Sequence, residues 1–217
     1  MSAIYSAAMT TLADRFRKLV TPWVSDAQGS FGVMHAEIKS RVPGAVAAGP
    51  AFTVLCYPGS IITVHKALAE AKAGDMLVVA GDGDDKGALL GELMSKACQA
   101  IGLACAIIDG PVRDAAGIRE LGFPVYARSV TPRVGTNRRV GQTQVAVACG
   151  DVVVHPGDWV FADDDGVVVV PAANVETVLA TAEAAEAKER KIAERIKAGE
   201  STIDILNFRD LVYPKSQ

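Results

Sequence analysis

The chain has 217 residues, half of them apolar and 22% charged, with a formal net charge of −3. That is enough apolar material for one sizeable core, and a single domain over residues 1–217 is the simplest organisation. An acidic balance without a basic stripe argues against a protein built to neutralise nucleic-acid phosphates, and no apolar run approaches the length that crosses a bilayer.

Met1–Thr11 lacks a basic region followed by an apolar core, so no secretory leader is read there. The four cysteines, Cys56, Cys98, Cys105 and Cys149, show no metal-ligand spacing and lie in apolar surroundings. They read as small core residues of a reduced compartment, which together with the missing spans predicts a soluble, cytoplasmic protein with neither a membrane nor a nucleic acid as partner. Leu12 to Val20 has helical spacing, Thr21-Pro22 is read as its end, and a second short helix is expected near Ser25-Asp26 with Asp26 as a cap. After the Pro43-Gly44 turn, Ala45–Cys56 reads as strand. Ile61–Lys72 reads as an amphipathic helix with Ile62, His65, Leu68 and Ala69 near one face. A lone histidine with no second ligand in view is read there as a packing residue.

Met76–Ala80 reads as a buried strand, followed by the loop Gly81-Asp-Gly-Asp-Asp-Lys-Gly87. It lacks the third glycine of a dinucleotide fingerprint and the Gly-Lys-Ser/Thr of a phosphate loop. Its better use is to let backbone approach a small anion, with Asp82, Asp84 and Asp85 read first as a solvated acidic turn and second as additions to a metal site.

The central stretch runs from Leu89 to Asp114. Leu90, Leu93, Met94, Ala97, Ala100 and Ile101 recur at helical spacing after Gly91-Glu92, and Gly102 stops the helix. Leu103 to Ile108, apolar without alternation, reads as a strand covered on both faces, broken by Asp109-Gly110-Pro111. Arg113-Asp114 follow at once. Where strands end and helices begin in an open α/β layer, unpaired N–H groups and the helix dipole favour anions, so the front of the Glu92 helix is a natural seat for a carboxylate or phosphate. Arg113 offers a planar cationic fork and Asp114 a hard anionic oxygen suited to Mg²⁺ or Mn²⁺. From the residues alone a plain alternative stands equal: an exposed salt bridge, with Asp114 as N-cap of Ala115–Leu121.

Downstream, Pro124–Ala127 is a short strand, and Ser129–Thr143 a polar connection whose Arg133, Arg138 and Arg139 form the densest basic patch. It reads as a solvated loop, with a contact to a substrate anion as the other reading. Gln144–Ala148, Asp151–Val154, Trp159–Ala162 and Val167–Val170 read as mainly antiparallel strands, and Asp163-Asp164-Asp165-Gly166 as a hairpin turn rather than a calcium loop. Ala172–Ala198 is a long helix with the apolar stripe Val175, Val178, Leu179 and Ala182. Ile203, Ile205, Leu206, Phe208, Leu211 and Val212 then make an apolar terminal set of the kind an oligomer arm needs.

Glu92, twenty intervening residues and Arg113-Asp114 resemble the acidic-x20-Arg-Asp signature of the class II pyruvate aldolases that cleave 4-hydroxy-4-methyl-2-oxoglutarate and 4-carboxy-4-hydroxy-2-oxoadipate. That family shares its fold with the regulator of ribonuclease activity A, RraA. Gly49–Val54, Val64–Val79, Leu121–Pro132 and Val154–Pro171 are similar to it as well.

The resemblance implies an α/β fold: an RraA-like single domain with a mixed β-barrel-like core flanked by helices, and a C-terminal helical arm over residues 172–217. It implies a metal-dependent carbon–carbon lyase that releases pyruvate, with oxaloacetate decarboxylation as a related activity. Asp114 would hold Mg²⁺ or Mn²⁺, and Arg113 would bind substrate and neutralise the growing oxygen charge. Gly91, Leu93 and Met94 would seat the carboxylate, and Glu92 would orient a water or take a proton through it. No lysine is needed for a Schiff base, so Lys66, Lys86 and Lys96 are read as ordinary surface or loop residues.

The family commonly has Asp where this chain has Glu92, so that residue's role depends on the water around it. Its members form trimers and hexamers with active sites at subunit boundaries, where an acidic residue from a neighbour's late helix approaches the metal. Glu183, Glu186, Glu189, Glu194 and Glu200 are candidates among which the sequence does not choose. The rival expectation is an RraA-type regulator that binds ribonuclease E without catalysis.

Overall fold

The computed structural model describes residues 12–16, 18–81 and 87–214. Four strands run parallel side by side: β2 (Ala47–Leu55), β3 (Met76–Ala80), β4 (Cys105–Val112) and β5 (Val125–Val130). Antiparallel neighbours extend the sheet on both sides. β1 (Lys39–Ser40) lies against β5; β6 (Gln142–Thr143) and β9 (Trp159–Asp163) pair with β2; β10 (Gly166–Val170) forms a hairpin with β9. A separate hairpin joins β7 (Val147–Cys149) to β8 (Val152–Val154).

Residues 32–41 nearly close the sheet into a barrel. Met34 N–H donates to Val167 O at 2.9 Å and Val169 N–H to Gly32 O at 2.8 Å on β10, and the same segment then reaches β5 through β1 and Arg41 N–H to Val125 O at 2.7 Å. Closure hides strand edges that would otherwise pair with other chains.

Side-chain alternation explains why the parallel strands read as unbroken apolar runs. On β3, Met76, Val78 and Ala80 face the barrel interior with Cys105 and Ile107 of β4 and Tyr126 of β5. Leu77 and Val79 face outward with Ala106 and Ile108, under the helices α2 (Ile62–Glu70), α3 (Glu92–Ile101) and α4 (Ala115–Leu121). A third cluster packs Trp159, Phe161, Val168 and Val170 against α1 (Thr21–Ala27) and α5 (Val175–Lys197), through Val24, Val175, Val178, Leu179 and Ala182. Two short helices follow, α6 (Thr202–Ile205) and α7 (Arg209–Val212). None of the helices among the described residues is long and apolar enough to cross a membrane.

Several expectations are corrected. Thr21-Pro22 begins α1 instead of ending a helix, because proline at the first helical turn loses no hydrogen bond there. Buried Asp163 fixes that start by accepting from Thr21 N–H at 2.7 Å and Thr21 Oγ1–H at 2.6 Å. Ser25 and Asp26 lie inside the helix, and no side-chain cap forms at its N-terminus. Asp109-Gly110-Pro111 does not break β4: the register shifts between Ile108 and Pro111, and the strand continues to Val112. Asp109 points into the barrel, where it is ion-paired with Arg128 and accepts from Gly150 N–H at 2.8 Å. His65 and Ala69 lie on the exposed side of α2, and Thr63, Val64 and Ala67 form its buried face. The buried face of α3 carries Ser95 and Cys98, whereas Leu93 and Ala100 point to solvent. The apolar set of the C-terminal segment is largely uncovered, with Ile205 buried and Leu206, Phe208, Leu211 and Val212 exposed. The proposed acidic turn of Asp82, Asp84 and Asp85 lies outside the described residues, as does Lys86.

All four cysteines are free and buried. Burial pushes the Cys56 thiol up to about 11 and the Cys98 thiol up to about 12, and moves Cys105 and Cys149 in the same direction. The folded state therefore keeps thiol protons above the pH at which the unfolded chain releases them. Stability is intact below the ordinary thiol value of 9.0 and falls as the pH rises from there through about 11 to 12. We expect urea unfolding midpoints to decline across that alkaline window, and iodoacetamide at pH 8 to label no cysteine until the protein unfolds. Rapid alkylation of the native protein would show that the core is open.

Candidate active site

All four parallel strands end on the same side of the sheet, and each exit contributes to one small cleft of about 40 Å³. After β2 comes Ile61; after β3, Ala88–Gly91 with Leu93 and Met94; after β4, Arg113 and Asp114; after β5, Val134. The edge beyond the carboxyl ends of parallel strands is where α/β folds bind ligands, since helix N-termini converge there.

Backbone pairing builds the centre of the cleft. Leu89 N–H donates to Pro111 O at 2.9 Å, and Arg113 N–H to Leu90 O at 3.0 Å, so the chain entering α3 lies alongside the end of β4. Pro111, lacking an N–H, still contributes its carbonyl. Gly91 is the N-cap of α3, and its carbonyl accepts from Ser95 N–H at 2.9 Å and from the buried Ser95 hydroxyl at 3.0 Å. A Cβ on Gly91 would meet Asp114 Oδ2 at 2.7 Å and Arg113 Cγ at 3.0 Å. Only glycine leaves both side chains in place.

Asp114 precedes α4 in a left-handed conformation, φ 57° and ψ 39°, which Asp tolerates better than most residues at a cost of about 1 kcal/mol or more. Its position is that of an N-cap, yet its side chain caps nothing on α4. The carboxylate turns instead toward α3: Oδ2 lies 3.3 Å from Glu92 N–H and 3.4 Å from Arg113 Nε. Of the plain alternative, the side-chain cap is not formed, whereas the exposed Arg113–Asp114 ion pair is present, with its carboxylate facing another helix's start. The Arg113 and Asp114 side chains are 38% and 43% exposed, open to a ligand. Beyond Glu92 N–H, the amides of Leu93 and Met94 complete the first turn of α3, where amide hydrogens point out of a helix and the dipole favours an anion.

Glu92 is placed differently. It leads α3 but does not line the cleft. Its Oε1 accepts from Lys96 Nζ at 2.5 Å, and its carboxylate lies against Gly117 of α4, where a Cβ would collide with Oε2. Sequence reading missed both contacts, although the i,i+4 spacing of Glu92 and Lys96 signals the first. Lys66 is likewise paired with Glu70, and neither lysine faces the cleft. The acidic residues considered for a neighbour's site are mostly engaged within this chain: Glu183 with Arg15, Glu186 with Arg190, Glu189 with Trp23 Nε1 and Glu200 with Arg195.

One carboxylate of the cleft, Asp114, is of the chemical type that a hard divalent cation takes. Among the described residues no group of three or more His, Cys, Asp or Glu side chains converges. Among the described residues that line the cleft, Asp114 offers the one carboxylate, half-exposed, which suits Mg²⁺ or Mn²⁺, ions that keep much of their water and bind through one or two carboxylates. It does not suit zinc, whose sites need several nitrogen or sulfur ligands.

Comparison with known proteins agrees with this architecture. Residues 21–169 match the model of the RraA-like family, described as Aldolase/RraA, and the chain belongs to that family. A relative from Halalkalibacterium halodurans, provisionally named 4-hydroxy-4-methyl-2-oxoglutarate aldolase, is 32% identical over 197 residues, covering 89% of this chain and 94% of its own. Among solved structures, RraAS2 of Streptomyces coelicolor, an unusual member of the RNase ES inhibitor RraA family, superposes with TM-score 0.78 at 28% identity, covering 85% of this chain and 98% of its own. The RNA-processing inhibitor RraA from Thermus thermophilis gives 0.63 at 30% identity, covering 68% and 89%. The fold is thus the RraA fold, and the relatives include both a protein named as an aldolase and proteins named as inhibitors.

Gly91→Ala tests the packing of this centre. The added methyl collides with Asp114 and Arg113, so we expect a crystal structure of the variant to show the Asp114 carboxylate moved off Glu92 N–H while the thermal midpoint moves by only a few degrees. An unmoved carboxylate in the Gly91→Ala variant would show that Arg113 and Asp114 need no such seat.

Proposed function

We propose that the protein is a divalent-metal-dependent carbon–carbon lyase. It cleaves a 4-hydroxy-2-oxo acid of the 4-hydroxy-4-methyl-2-oxoglutarate or 4-carboxy-4-hydroxy-2-oxoadipate type to pyruvate and a second oxo acid, with oxaloacetate decarboxylation as a side activity. The observation that carries this reading is the Asp114 carboxylate turned away from its own helix and toward the start of α3, beside Arg113. The aldolase-named relative supplies the reaction class.

In this reading the substrate carboxylate sits on the N–H groups of Leu93 and Met94, where the helix dipole favours negative charge. Asp114 would hold Mg²⁺ or Mn²⁺, which when bound supplies Lewis-acid neutralisation of charge at the 2-oxo oxygen. Arg113 donates to that same oxygen, and its fixed positive charge counts for more as the oxygen becomes an enolate, which is where transition-state stabilisation is gained. The C4 hydroxyl gives up its proton, the C3–C4 bond breaks, its electron pair enters the C2–C3 enolate, and C3 then takes up a proton to give pyruvate. Glu92 lies outside the cleft and acts through a water, its carboxylate held in place by Lys96.

A single chain leaves this centre partly uncovered: Leu93 is 77% exposed and Val134 is exposed beside it. A homotrimer or homohexamer that closes the cleft at a subunit boundary fits that exposure, and the uncovered apolar residues of the segment after α5 suit an arm reaching a neighbour. The same likeness that supports the fold favours a second reading, an RraA-type regulator of ribonuclease E, because one structural neighbour is named an RNA-processing inhibitor and another an unusual member of the RNase ES inhibitor family.

Pyruvate release measured with and without Mg²⁺ or Mn²⁺ separates the two readings. Arg113→Ala and Asp114→Asn should each reduce turnover by at least a thousandfold. Both should fold, since the side chains are half-exposed and Asn tolerates the left-handed turn. EDTA should remove activity and added metal restore it. Full activity in either variant, or activity surviving exhaustive chelation, would place the chemistry elsewhere.

A further inference from the structure

The connection after β5 is seated on the site's edge. Thr131 N–H donates to Val112 O at 2.9 Å, Arg133 O accepts from Ala88 N–H at 2.9 Å, and Thr136 exchanges bonds of 2.7 and 2.8 Å with Gly59 O and Ile61 N–H. Ser60 Oγ–H donates to Arg139 O at 2.8 Å, and Gly141 N–H to Thr63 Oγ1 at 2.8 Å. At Gly135 a Cβ would strike Ile61 Cγ2 and lie 2.7 Å from Ala88 O, so the backbone lies directly on the floor of the edge. The loop therefore presents its side chains from a fixed frame.

That frame carries three guanidinium groups within seven residues, Arg133, Arg138 and Arg139, in a chain whose net charge is −3. Among the described residues none of the three pairs with a carboxylate, and Arg139 lies over the ring of Tyr57, 5.1 Å from its centroid. Like charge concentrated on a seated loop raises the local positive potential, which attracts an anion. Val134, flanked by Arg133, is itself a wall of the cleft. The cleft is small, about 40 Å³, and open on one side, so an acid longer than a pyruvyl group extends over its rim.

We propose that this loop is the second half of the substrate site, with Arg133 and Arg139 binding the carboxylate that the substrate carries beyond its pyruvyl group. The proposal rests on the lyase reading above and deepens it: the chain selects 2-oxo acids with a second carboxylate, and the loop arginines are its specificity determinants. Arginine suits the task because its planar fork matches a carboxylate with two parallel hydrogen bonds.

Calorimetric titration of the Mn²⁺-loaded protein with pyruvate and with 2-oxoglutarate tests this without turnover. Both ligands carry the 2-oxo acid group, and only the second has a distal carboxylate. The wild type should bind 2-oxoglutarate roughly ten- to a hundredfold more tightly than pyruvate, the range of one charged hydrogen-bonded contact. Arg133→Gln and Arg139→Gln should each remove most of that advantage and leave pyruvate affinity unchanged, with Arg139→Lys keeping part of it. Equal affinities in the wild type, an advantage that survives in both Gln variants, or a parallel loss of both ligands would overturn the proposal. Pyruvate binding without the advantage refutes the loop's role alone; binding of neither acid refutes the lyase site together with it.

Discussion

The site depends on one piece of backbone pairing: the segment entering α3 runs alongside the last residues of β4. Leu89 N–H to Pro111 O and Arg113 N–H to Leu90 O are ordinary hydrogen bonds, each contributing about 1 kcal/mol. Their effect is geometric. They bring the helix start and the Arg-Asp pair together, and Gly91, with no side chain of its own, lets them touch. The left-handed turn at Asp114 then directs a carboxylate across the junction instead of onto its own helix.

The barrel supplies the rigidity behind this edge. Parallel strands with apolar side chains on both faces leave the four exits in fixed relation, and covering helices hold the outer face. Inside, the Asp109–Arg128 pair fills the same end of the barrel, with Arg128 also reaching Glu37 at 2.9 Å. Breaking such a buried pair would leave an uncompensated charge, so it fixes how the strands end beneath the cleft. Exposed apolar residues lie beside the cleft and beyond α5, and also at Phe31 and Val153.

Much of this was legible in the chain because it rests on local rules. Continuous apolar runs gave β3 and β4, the Asp-Gly turn gave the β9–β10 hairpin, and the stripe Val175, Val178, Leu179 and Ala182 gave the inner face of α5. Gly91, Arg113 and Asp114 belong to one stretch of sequence and lie together in space. What stayed hidden depends on partners distant in sequence. Proline signals were ambiguous: Pro22 starts a helix although it reads as the end of one, and Pro111 sits in a strand whose register shifts to admit it. Periodicity marked Leu93 as core, but it cannot tell a face buried in its own fold from one left bare. Asp109 read as a turn residue because its partners Arg128 and Gly150 lie 19 and 41 positions away.

The most direct test is a crystal structure with Mn²⁺ and oxalate, which mimics the pyruvate enolate. The ion should lie about 2.1 Å from an Asp114 carboxylate oxygen, with oxalate on the amides of Leu93 and Met94 and within reach of Arg113. An ion bound elsewhere, or oxalate held away from the start of α3, would contradict this arrangement.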